Sequence, residues 1–232
     1  MKKVCVIVPA YNEAKVLRGV IKKSKKTFDT SKYAIDIVVV DDGSIDATAA
    51  EASKGGATVI SHILNTGAGG ATATGLSYAL KEGYDAAATM DADGQHASAD
   101  VLAGIEILFK GDTDLLIGSR LIDTQGMSRV KVIGNWGLSF ITYILFGSHS
   151  TDSQSGLRIY SKRALEELRW STSGYEFCSE MLWRANQAHL TIREFPIKAI
   201  YTEYSKSKGQ NNWNAVNIIK SLVKRRIAEL FG

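Results

Sequence analysis

Along this chain, short apolar runs rich in β-branched residues alternate with longer stretches whose apolar positions recur every three or four residues. The runs Val4–Val8, Ile35–Val40, Thr58–Ser61, Ala86–Met90 and Leu115–Gly118 are largely continuous in apolar character. Continuity without alternation predicts strands buried on both faces. The segments Glu13–Thr27, Ala47–Ser53, Gly70–Lys81 and Ala99–Phe109 carry helical spacing. Strands alternating with helices imply crossover connections, hence an α/β fold with a mainly parallel sheet flanked by helices. No repeat, low-complexity tract or linker divides the chain, so one domain is expected over residues 1–210.

In open α/β sheets, ligands bind beyond the carboxyl ends of the strands. The segments there are "PAYNE", "DDGSID", "NTGAGGA", "DADGQH" and "SR". Four of the five are richer in polar residues or glycine than a plain connection requires, and their convergence predicts a single active site. In "DADGQH" an apolar strand runs into Asp91 and Asp93, two carboxylates one residue apart. Side chains two apart in extended backbone point the same way, so both can face one cation, with Gln95 as a further oxygen donor. All-oxygen ligands suit Mg²⁺ or Mn²⁺, whose shells are completed by water and phosphate. His96 reads either as a ligand or as a hydrogen-bonded turn residue.

The glycines of "NTGAGGATATG" do not form a dinucleotide fingerprint, because Thr72 occupies the third glycine position. No Gly-Lys-Ser/Thr follows, which excludes a Walker loop. Close helix–strand packing and backbone N–H groups serving a nucleotide both remain open. In "DDGSID", Asp46 or Ser44 reads as a cap for the next helix. Capping leaves Asp41 and Asp42 unexplained, and a carboxylate there suits the ring N–H of a uracil or guanine base.

Composition narrows the picture only modestly. The 232 residues are 45% hydrophobic and 22% charged, enough apolar content for a core without staples. The net charge of +4 does not argue for nucleic acid. Cys5 and Cys178 lie in apolar stretches and read as buried free thiols of a reducing compartment. The N-terminal run is short, contains Pro9 and lacks a small-residue cleavage site, so it reads as a first strand. No stretch reaches the roughly 18 apolar residues of a membrane span.

"VIVPAYNE", "VVVDDGSIDAT", "NTGAGGATATG", "MDADGQH", "TDSQSGLRIY" and "GYEFCSEMLWRA" follow one another as in family 2 glycosyltransferases. The chain resembles in particular the branch of dolichyl-phosphate mannose synthases and bacterial polyprenyl-phosphate glycosyltransferases, over about residues 4–200. The resemblance implies a GT-A fold. It also implies that Pro9, Ala10, Tyr11 and Glu13 contact the nucleotide and that Val40 and Asp42 hold the base, with Gly67 and Ala92 among the binding residues. Asp91 and Asp93 then match the metal-binding acidic pair, with Gln95 where some members supply a third ligand, and Arg120 matches a phosphate-side arginine. Where some mannose synthases carry an arginine, Glu203 stands here, which weakens any transfer of mannose specificity.

The expected reaction is an inverting transfer of a hexosyl group from a UDP- or GDP-sugar to a polyprenyl phosphate. Arg120, Arg129 and Lys131 would hold the acceptor phosphate, and Lys206 and Lys208 would meet phosphate. Asp152 would serve as base if the acceptor were instead a hydroxyl of a glycan or glycolipid. A sugar-1-phosphate nucleotidyltransferase lacks support, since its opening glycine-rich loop is absent, and intact Asp91, Asp93 and Arg120 argue against a non-catalytic scaffold. Relatives in this branch often continue into transmembrane helices. Here residues 211–232 read as a basic amphipathic helix, with Trp213, Val216, Ile219, Val223, Ile227 and Leu230 on one face. That helix either packs on its own domain or, with the apolar segment 135–147, meets the cytoplasmic face of the membrane, alone or with a small integral membrane partner.

Overall fold

A computed structural model describes residues 1–125, 127–201, 204, 218–224, 226 and 227. The chain runs β1 (Lys3–Ala10), α1 (Leu17–Phe28), β2 (Ala34–Asp41), α2 (Thr48–Gly55), β3 (Thr58–Ser61), α3 (Ala68–Lys81) and β4 (Ala86–Thr89). It continues through α4 (Ser98–Lys110), β5 (Leu115–Ser119), α5 (Arg129–Phe146), β6 (Arg158–Ser161), α6 (Lys162–Glu167), α7 (Phe177–Gln187) and β7 (Ile192–Pro196). The expected strands and helices are present. The first helix begins at Leu17 rather than Glu13, because the Glu13 carbonyl closes a turn with the N–H groups of Val16 and Leu17.

The seven strands lie in the order β3-β2-β1-β4-β6-β5-β7. β1 pairs in parallel with β2 and β4, as do β2 with β3 and β5 with β7. Only β6 is reversed, antiparallel to both β4 and β5. Six strands therefore end at one edge of the sheet. β6 enters from that same edge, which brings the "TDSQSG" segment before it to the strand ends.

Adjacent residues of β1 face different cores. Val4, Val6 and Val8 pack with Leu17 and Ile21 of α1 and with Val101 and Ile105 of α4. Cys5 and Ile7 pack on the other face with Ala71, Leu76 and Ala79 of α3 and with Met181 and Leu182 of α7. Gly75 sets the approach of α3, since a Cβ there would overlap Ile7 Cγ2. Truncating Ile7 to alanine in such packing costs about 2–5 kcal/mol. Both cysteines are free and buried, and burial, with Asp36 nearby, pushes the Cys5 thiol up to about 12.

The apolar segment that the sequence marks at 135–147 forms the C-terminal two thirds of α5, an 18-residue helix, and its C-cap Gly147. Its inner face buries Leu138, Ser139, Thr142 and Phe146. Val130, Ile133, Trp136, Phe140, Tyr143 and Ile144 recur on the outer face and are 47–73% exposed. Residues 218–224 are helical. They dock through Ile218 and Leu222 against Leu138, Phe146 and Trp183, with Ile219 packed alongside. Val223 and Ile227, placed with Ile219 on the expected apolar face, stay exposed. The docked stripe thus follows the four-residue step from 218 to 222. Trp213, Val216 and Leu230 lie outside the described residues. Among the described residues, no helix is long and apolar enough to cross a membrane.

Candidate active site

The loops after β1 and β2 are tied to each other by the chain's own polar groups. Asn12 takes a left-handed φ of 56°, its N–H donates to Ser44 Oγ, and its Oδ1 accepts from Ile45 N. Asp46 accepts from Thr48 N, the first residue of α2, and from Ala14 N, but the N-cap position is Ala47 and no side chain caps the helix. Ser44 instead serves the first loop. Glu13 is buried and accepts from the Tyr204 hydroxyl at 2.8 Å. Tyr11 is exposed. The side chains of Ala10, Val40 and Ala92 belong to the core, so only their backbone is available to a nucleotide.

Asp42, expected to meet a base, is buried among donors from this chain. Its Oδ1 accepts from His62 Nδ1, Thr66 N and the Thr66 hydroxyl, and its Oδ2 accepts from Gly67 N. Burial pushes the carboxyl up, but the donors from Thr66, His62 and Gly67 outweigh it and hold the pKa below the usual value. His62 Nε2 takes the Thr74 hydroxyl, which anchors the loop to α3. The glycine-rich turn is drawn in similarly. Gly67 has φ +86°, and Gly69 N donates to Ser173 O at 2.7 Å. Of the two readings of these glycines, close packing accounts for the N–H groups of Gly67 and Gly69.

After β4, Ala92 and Asp93 form a turn and Gly94 takes φ +79°. The extended geometry that would align Asp91 with Asp93 therefore does not hold, and the turn itself sets their positions at the strand end. Asp91 N–H donates to His96 Nδ1 at 3.1 Å, which leaves Nε2 protonated and 3.7 Å from Asp91 Oδ2. His96 is thus the hydrogen-bonded turn residue. Gln95 folds back on Asp93, its N–H donating to Oδ1 and its Nε2 to Oδ2. That second contact uses the amide nitrogen, so a third-ligand role would fall to Gln95 Oε1. Gly156 lies so close that a Cβ there would overlap Asp91 Oδ1.

Among the described residues, no cluster of three His, Cys, Asp or Glu side chains could enclose a metal. The donor set fits Mg²⁺ or Mn²⁺ nonetheless. Asp91 has a half-exposed carboxylate, and these ions accept one or two protein carboxylates with water and phosphate completing the shell.

On the next parallel strand, Arg120 meets Asp152. Its Nε donates to Oδ2 at 2.7 Å, its Nη2 to Oδ1 at 2.8 Å, and its backbone N–H to Oδ2 at 3.1 Å. Asp152 is 0% exposed. A bidentate pair of this kind fixes direction as well as charge. Both oxygens of Asp152, the expected base toward a hydroxyl acceptor, are engaged by arginine. The guanidinium, desolvated by burial yet held by Asp152 and close to Asp91, stays protonated far above its ordinary range.

Residues not singled out in the sequence support this loop. Glu194 accepts from the Ser150 hydroxyl and from both donors of Thr151. Arg158 is buried and donates to the carbonyls of Ser153, Ser155 and Cys178 and to Met181 sulfur. The available signal was a charge opening a short apolar run in "RIYS". Arg129 and Lys131 are exposed at the start of α5, capped by Ser128. Lys206 and Lys208 lie outside the described residues.

Residues 5–169 match glycosyl transferase family 2. The chain is 41% identical to the UDP-N-acetylglucosamine–dolichyl-phosphate N-acetylglucosaminyltransferase of Methanococcus voltae, with 90% of each chain covered. It is 32% identical to the undecaprenyl-phosphate mannosyltransferase of Micrococcus luteus, over 89% of this chain and 87% of that one. A solved structure of glucosyl-3-phosphoglycerate synthase from Mycobacterium tuberculosis, in complex with Mn²⁺, UDP and glucosyl-3-phosphoglycerate, is similar in fold. Its TM-score is 0.68 at 19% identity, covering 95% of this chain and 80% of that one.

Proposed function

The chain belongs to glycosyl transferase family 2, a GT-A glycosyltransferase, and we propose that it moves a hexosyl group from a UDP- or GDP-sugar to a polyprenyl phosphate. The observation that carries this reading is the arrangement at one sheet edge. The acidic turn after β4 and the Arg120–Asp152 pair after β5 stand beside each other, near a helix with an exposed apolar face. The relatives named for transfer to dolichyl and undecaprenyl phosphate support the acceptor class.

In the proposed step, an acceptor phosphate oxygen bonds to the anomeric carbon from the face opposite the departing nucleoside diphosphate. The carbon–oxygen bond to that diphosphate breaks with its electron pair, and the configuration inverts. The acceptor is already anionic at neutral pH, since the second pKa of a phosphate monoester is about 6. No base is needed, which agrees with an Asp152 occupied by Arg120. Asp152 aims the guanidinium, and Arg120 with Arg129 and Lys131 brings the acceptor anion to the donor. Asp91 and Asp93 would hold Mg²⁺ or Mn²⁺, which supplies Lewis-acid stabilisation of the departing diphosphate.

A lipid acceptor needs a surface at which to meet the site. The outer face of α5, with Trp136 and Phe140 stacked at 5.5 Å, suits the interface of a bilayer, and Arg129 and Lys131 suit its anionic headgroups. Peripheral attachment on the cytoplasmic face follows, with residues 211–232 and a small integral membrane protein as further contributors. Incubation with labelled UDP- and GDP-sugars, Mg²⁺ or Mn²⁺, and either polyprenyl phosphate or a soluble glycan tests the reading. Label is expected in the lipid phase, and label in the glycan alone would establish the hydroxyl-acceptor alternative instead.

A further inference from the structure

We infer that Tyr201 is a positioning residue of the acceptor side, its ring holding the Lys131 ammonium beside Arg120 so that two cations meet one phosphate. The inference rests on the acceptor reading above. Lys131 Nζ lies 4.1 Å from the centre of the Tyr201 ring. Lys131 is otherwise an exposed residue in the first turn of α5, and a lysine stem in solvent samples many rotamers. An aromatic face removes part of that freedom and leaves the charge intact.

Tyr201 itself is held from two sides. β7 runs parallel to β5 with Pro196 opposite Ser119, and Ile197 N donates to Ser119 O at 3.0 Å, one residue before Arg120. Ile200 N then donates to Gln95 O at 3.1 Å, in the acidic turn. The strand tail thus spans from the phosphate-side arginine to the carboxylate turn and delivers Tyr201 to Lys131. Burial raises the Tyr201 phenol, Arg120 lowers it and Asp152 raises it again, which places the hydroxyl within the field of that pair. With its pKa above the ordinary value, the phenol stays neutral at pH 7 and the ring offers its face to a cation.

The test compares Tyr201→Phe, Tyr201→Leu, Lys131→Met and the Tyr201→Leu/Lys131→Met double variant in steady-state transfer to a polyprenyl phosphate. Phenylalanine keeps the ring, so Tyr201→Phe is expected to match the wild type. Tyr201→Leu is expected to raise the acceptor KM roughly three- to tenfold, with donor KM and melting temperature unchanged. Lys131→Met is expected to raise it at least as far, and the double variant no further than Lys131→Met alone. If Tyr201→Leu does not fold, Tyr201→Gln carries the same comparison. Wild-type acceptor KM in the variant without the ring, a shift confined to donor KM, or additive effects in the double variant would each overturn the inference while leaving the acceptor reading intact. Absence of transfer to any polyprenyl phosphate by the unmutated chain would instead overturn the acceptor reading, and this inference with it.

Discussion

The half of the edge proposed to meet the donor, built on β1 to β4, and the half proposed to meet the acceptor, built on β5, α5 and the segments flanking β6 and β7, solve the placement of charge differently. In the donor half, Asp42 and Asp46 accept bonds from nearby backbone and side-chain donors, and the loops lock onto one another. In the acceptor half, the buried carboxylate of Asp152 holds a cation from another loop, Lys131 rests on a ring, and an apolar helix face is left uncovered. The first half is fixed by its own hydrogen bonds. The second presents cations and apolar surface together, a combination that matches an anionic headgroup on a hydrocarbon chain.

Four experiments sharpen or break that contrast. Removing a carboxylate of the acidic turn should have the largest effect on chemistry. Asp91→Ala or Asp93→Ala should lower transfer by roughly 10²–10³-fold or more, the scale of losing one preorganised charge stabiliser, with the melting curve little changed. Activity that persists undiminished in a chelator would show that these carboxylates do not act through a metal.

Asp152→Ala should strike stability as well as turnover, since it leaves a largely buried guanidinium without its partner. Breaking a buried pair this way costs about 3–5 kcal/mol, and a drop of roughly 10 °C in melting temperature is expected. Asp152→Asn keeps the volume and one oxygen, and should weaken transfer to a phosphate without abolishing it. Complete loss of transfer in a folded Asp152→Asn protein would favour a base role.

The uncovered face is tested by Trp136→Ser with Phe140→Ser. Each ring should contribute about 1.5–3 kcal/mol when buried, so flotation with anionic liposomes should fall by at least roughly tenfold. Solution stability should barely move, because both rings are already exposed. Equal flotation of the double variant and the wild type would rule out α5 as the membrane contact.

The smallest effect concerns Asp42, whose folded pKa is depressed. A depressed carboxyl adds stability that is present above its unfolded pKa of about 3.9 and is lost as pH falls through the lower folded value. Asp42→Asn should therefore be less stable than the wild type at neutral pH, by about 1–3 kcal/mol. That gap should narrow as the pH falls below about 4. A gap that stays constant down to pH 3 would mean the hydrogen-bonded charge is not what stabilises the loop.

Much of the donor half is legible in the amino-acid sequence, because its signals are local. Strand boundaries from β1 to β5 fall within two residues of the apolar runs, and the acidic turn follows β4 where the sequence places it. β6 and β7 are not legible in the same way: "RIYS" and "IREFP" are short and carry charge, and neither alternates clearly enough to announce a strand. α5 is visible only as an apolar stretch, since Gly134 and Gly137 suggest breaks. Both glycines face open space, and the helix runs through them unbroken.

By itself the sequence determined which chemistry stands after which strand and the α/β alternation, which depend on periodicity and residue type within a few positions, while its ordered motifs carried the resemblance to the family. Pairing was decided only by the tertiary structure. Arg120 reaches Asp152 across 32 residues, Asp42 gathers donors from 20 to 25 residues away, and Tyr204 meets Glu13 across 191. Such partners are chosen by strand order and register. The reversal of β6 alone moves the "TDSQSG" segment to the edge where Arg120 ends its strand, and no local pattern in the chain encodes that turn of direction.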